Sequence, residues 1–473
     1  MADSGAVASP LRDACGPPVL AANADVDAEI LAVLDELGGS WRVFALVWGA
    51  VGLAWAADAI ELGVLGFLQP CVGADFGLDA SQRATIASIV FLGEAAGAVF
   101  FGLLADRVGR RPVSLGVAAT VFVCAAASAA SPNYGAFLVL QCGVGAGIGG
   151  LAVPFDLCLE FIREDLRGRA LVGLNLWWAA GAIYANVAAW LVLGGGDRWR
   201  ILIVACAAPS SLAMCAVALL PESPRWLLER GRPADAARAV STLAASCGGP
   251  AIAVRAAAAL ARAEALGPGA DRAPAAGATL AALAGYRSVL APAALLWLCG
   301  GFAYYGASFL VTRAFEEGGG GGGGGTCAFA FGNLVADNAS LVAGALLGAV
   351  LVDRGRRRAQ MAAYAGCGGA VLALGAPRLR VVGRSIAGFA ALGLALAATS
   401  VTWVHTPECF DTRVRASAHA VCNCLARLGS FATAYVVNSG PSATASAAAV
   451  ATAALLCALS AAALPETAGR RLA

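Results

Sequence analysis

The chain contains no lysine: all 32 of its basic residues are arginine. Charge of either sign is scarce. Acidic and basic side chains make up 13% of the 473 residues, about half of the ~25% that a soluble domain carries. That shortage excludes both a set of soluble domains and a disordered polypeptide. No paired Cys-x-x-Cys framework occurs among the 15 cysteines, so a zinc scaffold is excluded. Most cysteines fall inside apolar runs and read as small buried hydrophobes. The net charge of +2 gives no bulk attraction to nucleic acid. The first 40 residues hold seven acidic side chains and no apolar core, so they resemble neither a secretory signal nor a transit peptide.

What remains is apolar. Hydrophobic residues reach 59% and mean hydropathy is +0.75. They come in repeated runs of about 20, the length that spans a ~30 Å hydrocarbon core. Twelve such runs lie near 43–69, 84–105, 113–130, 135–157, 170–194, 200–220, 288–312, 328–351, 360–376, 381–404, 416–437 and 443–464. With the N-terminus inside, the tails and inner loops hold 24 Arg and the outer loops seven. By the positive-inside rule both termini are cytosolic. The run Gly318–Gly325 falls in an outer loop and reads as a flexible tether.

The two halves repeat charged motifs in the same order. Gly102-Leu-Leu-Ala-Asp106-Arg107-Val-Gly109-Arg110-Arg111 follows span two, and Asp353-Arg354-Gly355-Arg356-Arg357 follows span eight, at an offset of 247. Glu160 and Arg167 are matched by Glu408 and Arg415 at an offset of 248. Pro221-Glu222-Ser223 is matched by Pro465-Glu466-Thr467 at an offset of 244. The expected fold is therefore all-α: twelve transmembrane helices in two six-helix pseudo-repeats, with a site between the halves. The expected boundaries are a cytosolic segment over 1–40, a first bundle over 41–221, a cytosolic central loop over 222–287, a second bundle over 288–465 and a cytosolic tail over 466–473.

An ionisable group near mid-bilayer costs ~2.5–3.5 kcal/mol on insertion scales and marks a pathway by default. Asp58 and Glu61 lie near the middle of span one, on one side of the helix, and Glu94 lies midway along span two. Asp156, near the inner end of span four, can reach the interface. Arg427 lies eleven residues past Ala416, about 16 Å deep at 1.5 Å per residue. It reads either as a structural pair with Asp58 or Glu94 or as a fork for an anionic substrate group. Carboxylates in apolar surroundings can take up and release protons near neutral pH. Asp58 is the first candidate proton carrier, followed by Glu94, with Glu61 beside them. Trp177, Trp178, Tyr304, Tyr305 and Trp403 are candidates to shape a cavity or to pack. His405, at an inner span end, is able to titrate; His419 reads as a satisfied polar residue. Gly145-x-Gly147-x-x-Gly150 fits a dinucleotide fingerprint in form only, because it lies within span four, where small residues permit close helix packing.

These motifs resemble the major facilitator superfamily over residues 41–472. The loop after span two matches that superfamily's G-x-x-x-D-R-x-G-R-R signature. The resemblance implies a gate latched by Gly102, Asp106, Arg107, Gly109, Arg110, Arg111, Glu160 and Arg167 in one half. Asp353, Arg354, Arg357, Glu408 and Arg415 would serve in the other. A narrower likeness, to the synaptic-vesicle-two-related (SVOP) branch and its organic-ion and niacin-transporter relatives, rests on three stretches. These are Gly52-Leu-Ala-Trp-Ala-Ala-Asp58-Ala-Ile-Glu61, Phe302-Ala-Tyr304-Tyr305-Gly306, and His405-Thr-Pro-Glu408 continuing through Ala426-Arg427-Leu-Gly429. Pro221-Glu222-Ser223-Pro224-Arg225-Trp226 is shared with sugar porters, but span seven lacks the paired glutamines that those porters use on sugar hydroxyls. Two departures stand out. Gln141 occupies the place where this branch has a span-four Arg, and the second Asp-Arg-Gly motif is one residue shorter than the first.

The resemblance implies a secondary transporter that moves a small organic ion by alternating access. In this family Arg at the span-eleven position accompanies organic anions, so an anion is expected, coupled to protons. Arg427, Asp58, Trp178, Tyr304, Tyr305 and Trp403 are the expected substrate contacts. The expected partners are a small molecule, protons and the lipid bilayer, with the chain working as a monomer and without nucleic acid, cofactor or metal. No nucleophile, metal or phosphate constellation points to an enzyme. The competing readings are a non-transporting sensor or scaffold on the same fold, and a sugar transporter.

Overall fold

In lipid a backbone amide finds no partner but another backbone group, so each apolar run closes its own i to i−4 bonds as helix. The computed structural model describes residues 17–265, 285–316, 328–352, 354–410, 412–438 and 442–467. Among them are α1 (Pro17–Gly38), α2 (Trp41–Asp75), α3 (Ala80–Val108), α4 (Arg110–Ser128), α5 (Tyr134–Gly149), α6 (Ala152–Phe161), α7 (Glu164–Leu193) and α8 (Trp199–Ala218). Three shorter helices follow, α9 (Pro224–Glu229), α10 (Pro233–Cys247) and α11 (Pro250–Ala265). The second half is α12 (Arg287–Ala314), α13 (Phe331–Val352), α14 (Arg356–Leu374), α15 (Val381–Glu408), α16 (Thr412–Asn438) and α17 (Ala443–Ala463).

Eleven of the described helical segments are long and apolar enough to cross a membrane, with α5 and the start of α6 counting as one, Tyr134–Cys158. The twelfth, α14, opens on three consecutive arginines, Arg356–Arg358, and its average hydropathy falls accordingly. Gly318–Gly325 and Asp353 lie outside the described residues.

Two compact units can be distinguished. The first comprises residues 1–47, 159–163 and 221–274. There α1 buries Val26, Ile30, Val33, Leu34 and Leu37, and packs on α10 and α11. Glu29 and Arg262 pair at 2.8 Å, and Glu36 pairs with Arg255. The N-terminal segment and the central loop thus share one small helical core.

The second unit, residues 48–158, 164–220 and 275–473, holds the spanning helices. Its packing is pseudo-symmetric: α3 lies on α5 as α13 lies on α15, and α4 on α8 as α14 on α17. Across the halves, α3 meets α16 and α7 meets α13. Glycines permit the closest approaches. A Cβ on Gly97 would sit 1.9 Å from the carbonyl oxygen of Ala146, and one on Gly145 would sit 2.0 Å from that of Val90. Of the formal dinucleotide fingerprint, Gly145 thus seats α5 against α3, while Gly147 faces Val121 and Val117 of α4.

Each half also turns on one glycine after its charged motif. Gly109 (φ 117°) starts α4 and Gly355 (φ 134°) starts α14, a backbone region that side chains with a Cβ avoid. Both glycines do the same work although the second motif is a residue shorter. These turns mark one end of the bundle, the motif end, opposite the far end.

Candidate functional site: a cavity between the two halves

Between the halves lies a cavity with about 690 Å³ of space free of atoms, open solvent included. Both halves supply its walls: Trp55 and Asp58 from α2, Asn175 and Trp178 from α7, Tyr304 and Tyr305 from α12, Trp403 from α15, and Asn423 and Arg427 from α16. The six residues expected to touch substrate thus surround one space. Trp55, Trp297, Asn175 and Asn423 line it too, and sequence reasoning missed them. Trp55 stood in plain view, one turn before Asp58 inside a quoted motif, and its spacing was the available signal.

The aromatic side chains form a continuous wall. Trp55 lies 6.2 Å from Trp178 and 5.9 Å from Trp403, and Trp403 lies 4.9 Å from Trp297. The Trp178 indole donates to the Tyr304 hydroxyl. Trp177 turns away from the cavity and meets Trp48 edge-on at 5.6 Å.

The charges gather at the centre. Arg427 forms an ion pair with Glu94 of α3, whose side chain is fully buried, and donates to the Tyr305 hydroxyl at 3.5 Å. The Glu94 contact is one of charge: neither carboxylate oxygen has an aligned hydrogen-bond partner. Asp58 is 3% exposed and its Oδ1 has no hydrogen-bond partner. Glu61 is equally buried, yet it does not line the cavity. Three residues along a helix amount to about 60° of rotation, enough to carry it off the wall that Asp58 faces. Gln141 lies off the cavity as well, donating to Ser128 at 3.4 Å on α4. Asp156 is exposed on α6. Among the described residues no three His, Cys, Asp or Glu side chains come together as a metal site requires.

At the motif end Asp106 pairs with Arg110 at 3.4 Å, and Arg111 donates to the Ala218 carbonyl at 2.8 Å. Arg107 is exposed, and a Cβ on Gly102 would meet open space. Glu160 sits on α6. The side chains of Arg167 and Arg415 are outside the description, as is Asp353. In the second half Glu408 is held by Arg356, at 2.6 and 3.0 Å, rather than by Arg357. Arg354 is exposed. Glu466 accepts from the amides of Arg356 and Arg357, at 2.9 and 3.2 Å, and so caps α14. His405 is fully buried, its ring nitrogens 2.9 Å from Gln360 Oε1 and 2.8 Å from the Pro465 carbonyl. His419 packs edge-on against Trp297 and Trp403, and its Nε2 is buried without a hydrogen-bond partner. The expectation of a satisfied polar residue there does not hold for that nitrogen.

The far end is closed. Phe67 meets Phe329 at 5.0 Å and Phe331 at 6.2 Å. Ser88 donates to the Phe431 carbonyl at 3.0 Å, and the hydroxyls of Thr85 and Tyr435 are 3.1 Å apart. Cys71 is disulfide-bonded, so the reading of the cysteines as hydrophobes fails at that position.

Residues 61–473 match the family model "Sugar (and other) transporter". The chain belongs to that transporter family. Its members' fold is evident in the solved structures too. The partially occluded, inward-open xylose transporter XylE from E. coli superposes with a TM-score of 0.70 over 92% of this chain and 100% of that one, at 19% identity. The chain is thus a multi-pass integral membrane protein with the twelve-helix major facilitator fold. In sequence it is similar to synaptic vesicle glycoprotein 2B of Mus musculus, 36% identical over 43% of this chain and 32% of that one. It is also similar to organic cation/carnitine transporter 7 of Arabidopsis thaliana, 37% identical over 42% of this chain and 39% of that one. The matched region spans about a third of these relatives' length.

Proposed function

We propose that this transporter moves a small organic anion through the cavity by alternating access, coupled to protons. The observation that carries the reading is the position of Arg427. It stands on the cavity wall, neutralised by Glu94, with the buried carboxyl of Asp58 close to the same centre. A bidentate guanidinium suits a carboxylate or similar anion, and Glu94 holds its place until substrate arrives. Protonation of Asp58 and Glu94 frees Arg427, and release of substrate restores the pair. The arginine distribution supports cytosolic termini. The disulfide at Cys71, near the far end of α2, supports a far face in an oxidising compartment. The charged clusters at Asp106–Arg111 and at Arg356, Glu408 and Glu466 act in this reading as the latch of the motif end.

A second reading rests on the aromatic wall. Four tryptophans beside an acidic side chain suit an organic cation, and one similar protein is an organic cation/carnitine transporter. The experiment is uptake by purified protein in liposomes, with anions, cations and sugars, with and without an inward proton gradient. Gradient-stimulated anion uptake that is lost in Arg427→Ala supports the proposal. Cation uptake replaces it with the second reading, and sugar uptake discards both. No flux from folded protein favours a sensor or scaffold.

A further inference from the structure

Asp337 lies on α13, six residues from its start and outside the cavity. It is 1% exposed, and its Oδ2 has no hydrogen-bond partner. One turn on, the Ser340 hydroxyl is buried and unpartnered as well. The carboxyl is wedged into the seam between α13 and α15. A Cβ on Gly388 would lie 2.4 Å from Asp337 Oδ2 and 3.3 Å from a methyl of Val311, so the absence of a side chain at 388 makes the room. Further along the seam a Cβ on Gly344 would lie 2.2 Å from the Gly393 carbonyl oxygen. The helices are in backbone contact there.

The neighbours offer no counter-charge among the described residues. On α12, Arg313 gives its guanidinium to the Val437 carbonyl, and Glu316 is exposed beyond the helix end. On α15, Arg384 precedes Gly388 by one turn, with Arg380 beyond it, and no ion pair joins either to Asp337. The stretch of α7 past Arg169 contains no acidic or basic residue, and its Tyr184 hydroxyl donates to Ala205. The arginines of α14 lie at the motif end. A lone carboxylate in such surroundings is heavily disfavoured against the neutral acid.

We infer that Asp337 is a proton-binding site separate from the substrate cavity, occupied while the far end is closed. The acid lets α13 and α15 stay in contact. Loss of its proton leaves a buried charge without a counter-charge, so deprotonation requires the seam to hydrate and part. Proton occupancy there biases the far end towards closure, whatever the substrate.

The test therefore adds no substrate, and its outcome is independent of the organic-anion reading. The full chain in lipid bilayers is titrated while infrared spectra follow acid carbonyl absorption. Hydrogen exchange, corrected for its intrinsic pH dependence, follows peptides of α13 and α15. The wild type should show an acid carbonyl band that Asp337→Asn lacks. Protection of both helices should fall as pH rises in the wild type and stay high in Asp337→Asn. Gly388→Ala keeps the acid but fills its space, and should shift or abolish the same band. Spectra that are identical in the wild type and Asp337→Asn, a band unmoved by Gly388→Ala, or the same pH profile of protection in all three would overturn the assignment.

Discussion

If substrate competes with Glu94 for Arg427, removing the competitor should tighten binding. Glu94→Gln keeps the shape of the side chain and deletes its charge. In the wild type an incoming anion must first displace Glu94 from Arg427, and close charge pairs are coupled by about 1.5 kcal/mol or more. Spared that step, the variant should bind its anion tighter by about tenfold or more, since 1.4 kcal/mol is a tenfold change. Stability should move the other way, because a buried arginine loses its partner at a cost of about 3–5 kcal/mol. The assay is calorimetric binding of the best anion from the uptake panel, paired with thermal unfolding in detergent. Adding that anion should recover much of the lost thermal stability in Glu94→Gln, because the ligand replaces the missing charge. Binding that is unchanged or weaker in folded Glu94→Gln would refute the competition and leave Arg427–Glu94 as a structural pair.

Three further outcomes are expected. Asp58→Asn should lose stimulation by a proton gradient while retaining exchange of substrate across the membrane; an undiminished gradient effect in liposomes would remove Asp58 as the carrier. Gly97→Leu places a side chain where the Ala146 carbonyl oxygen already lies within 1.9 Å of a Cβ; overpacking of this kind costs about 1–3 kcal/mol or more, and size-exclusion profiles should show loss of folded protein. Asp106→Asn removes an exposed partner of Arg110, so thermal stability should stay nearly constant while the rate of transport changes. Equal rates would remove the latch role.

The spans, their number and the duplication were legible because apolar runs and charged motifs are one-dimensional signals. The cavity was half legible. Asp58, Glu94 and Arg427 stood out as charges in apolar runs, and the same rule applied to span eight would have found Asp337, which was overlooked. Glu61 needed the helical phase of its neighbours, which depends on where α2 packs and not on its own sequence. Arg356 and Glu466 form the second-half cluster through a cap on the start of α14 by a residue 110 positions away, and no local spacing announces such a contact. The core shared by α1, α10 and α11 was hidden for a similar reason. Its apolar residues are spread over two polar segments, and neither is hydrophobic enough alone to suggest a helix pair.

The closure of the far end has a size that alternating access can use. Two aromatic pairs around Phe67 and two hydrogen bonds between α3 and α16 hold it, at about 0.5–1.5 kcal/mol each, or roughly 2–6 kcal/mol together. A ligand that takes a two-state equilibrium from one side to the other needs a differential affinity of about 5.5 kcal/mol, so contacts of this strength are reversible by binding without being loose at rest. The ring of Phe67 serves both aromatic pairs, and its loss should remove about half of the closure without touching the cavity. Phe67→Ala should therefore raise hydrogen exchange at the start of α13 and the end of α2, with the motif end unchanged, and should speed exchange of bound substrate from the far side. If exchange at both helix ends stayed at wild-type levels, the rings would be packing only, and the closure would rest on α3 and α16.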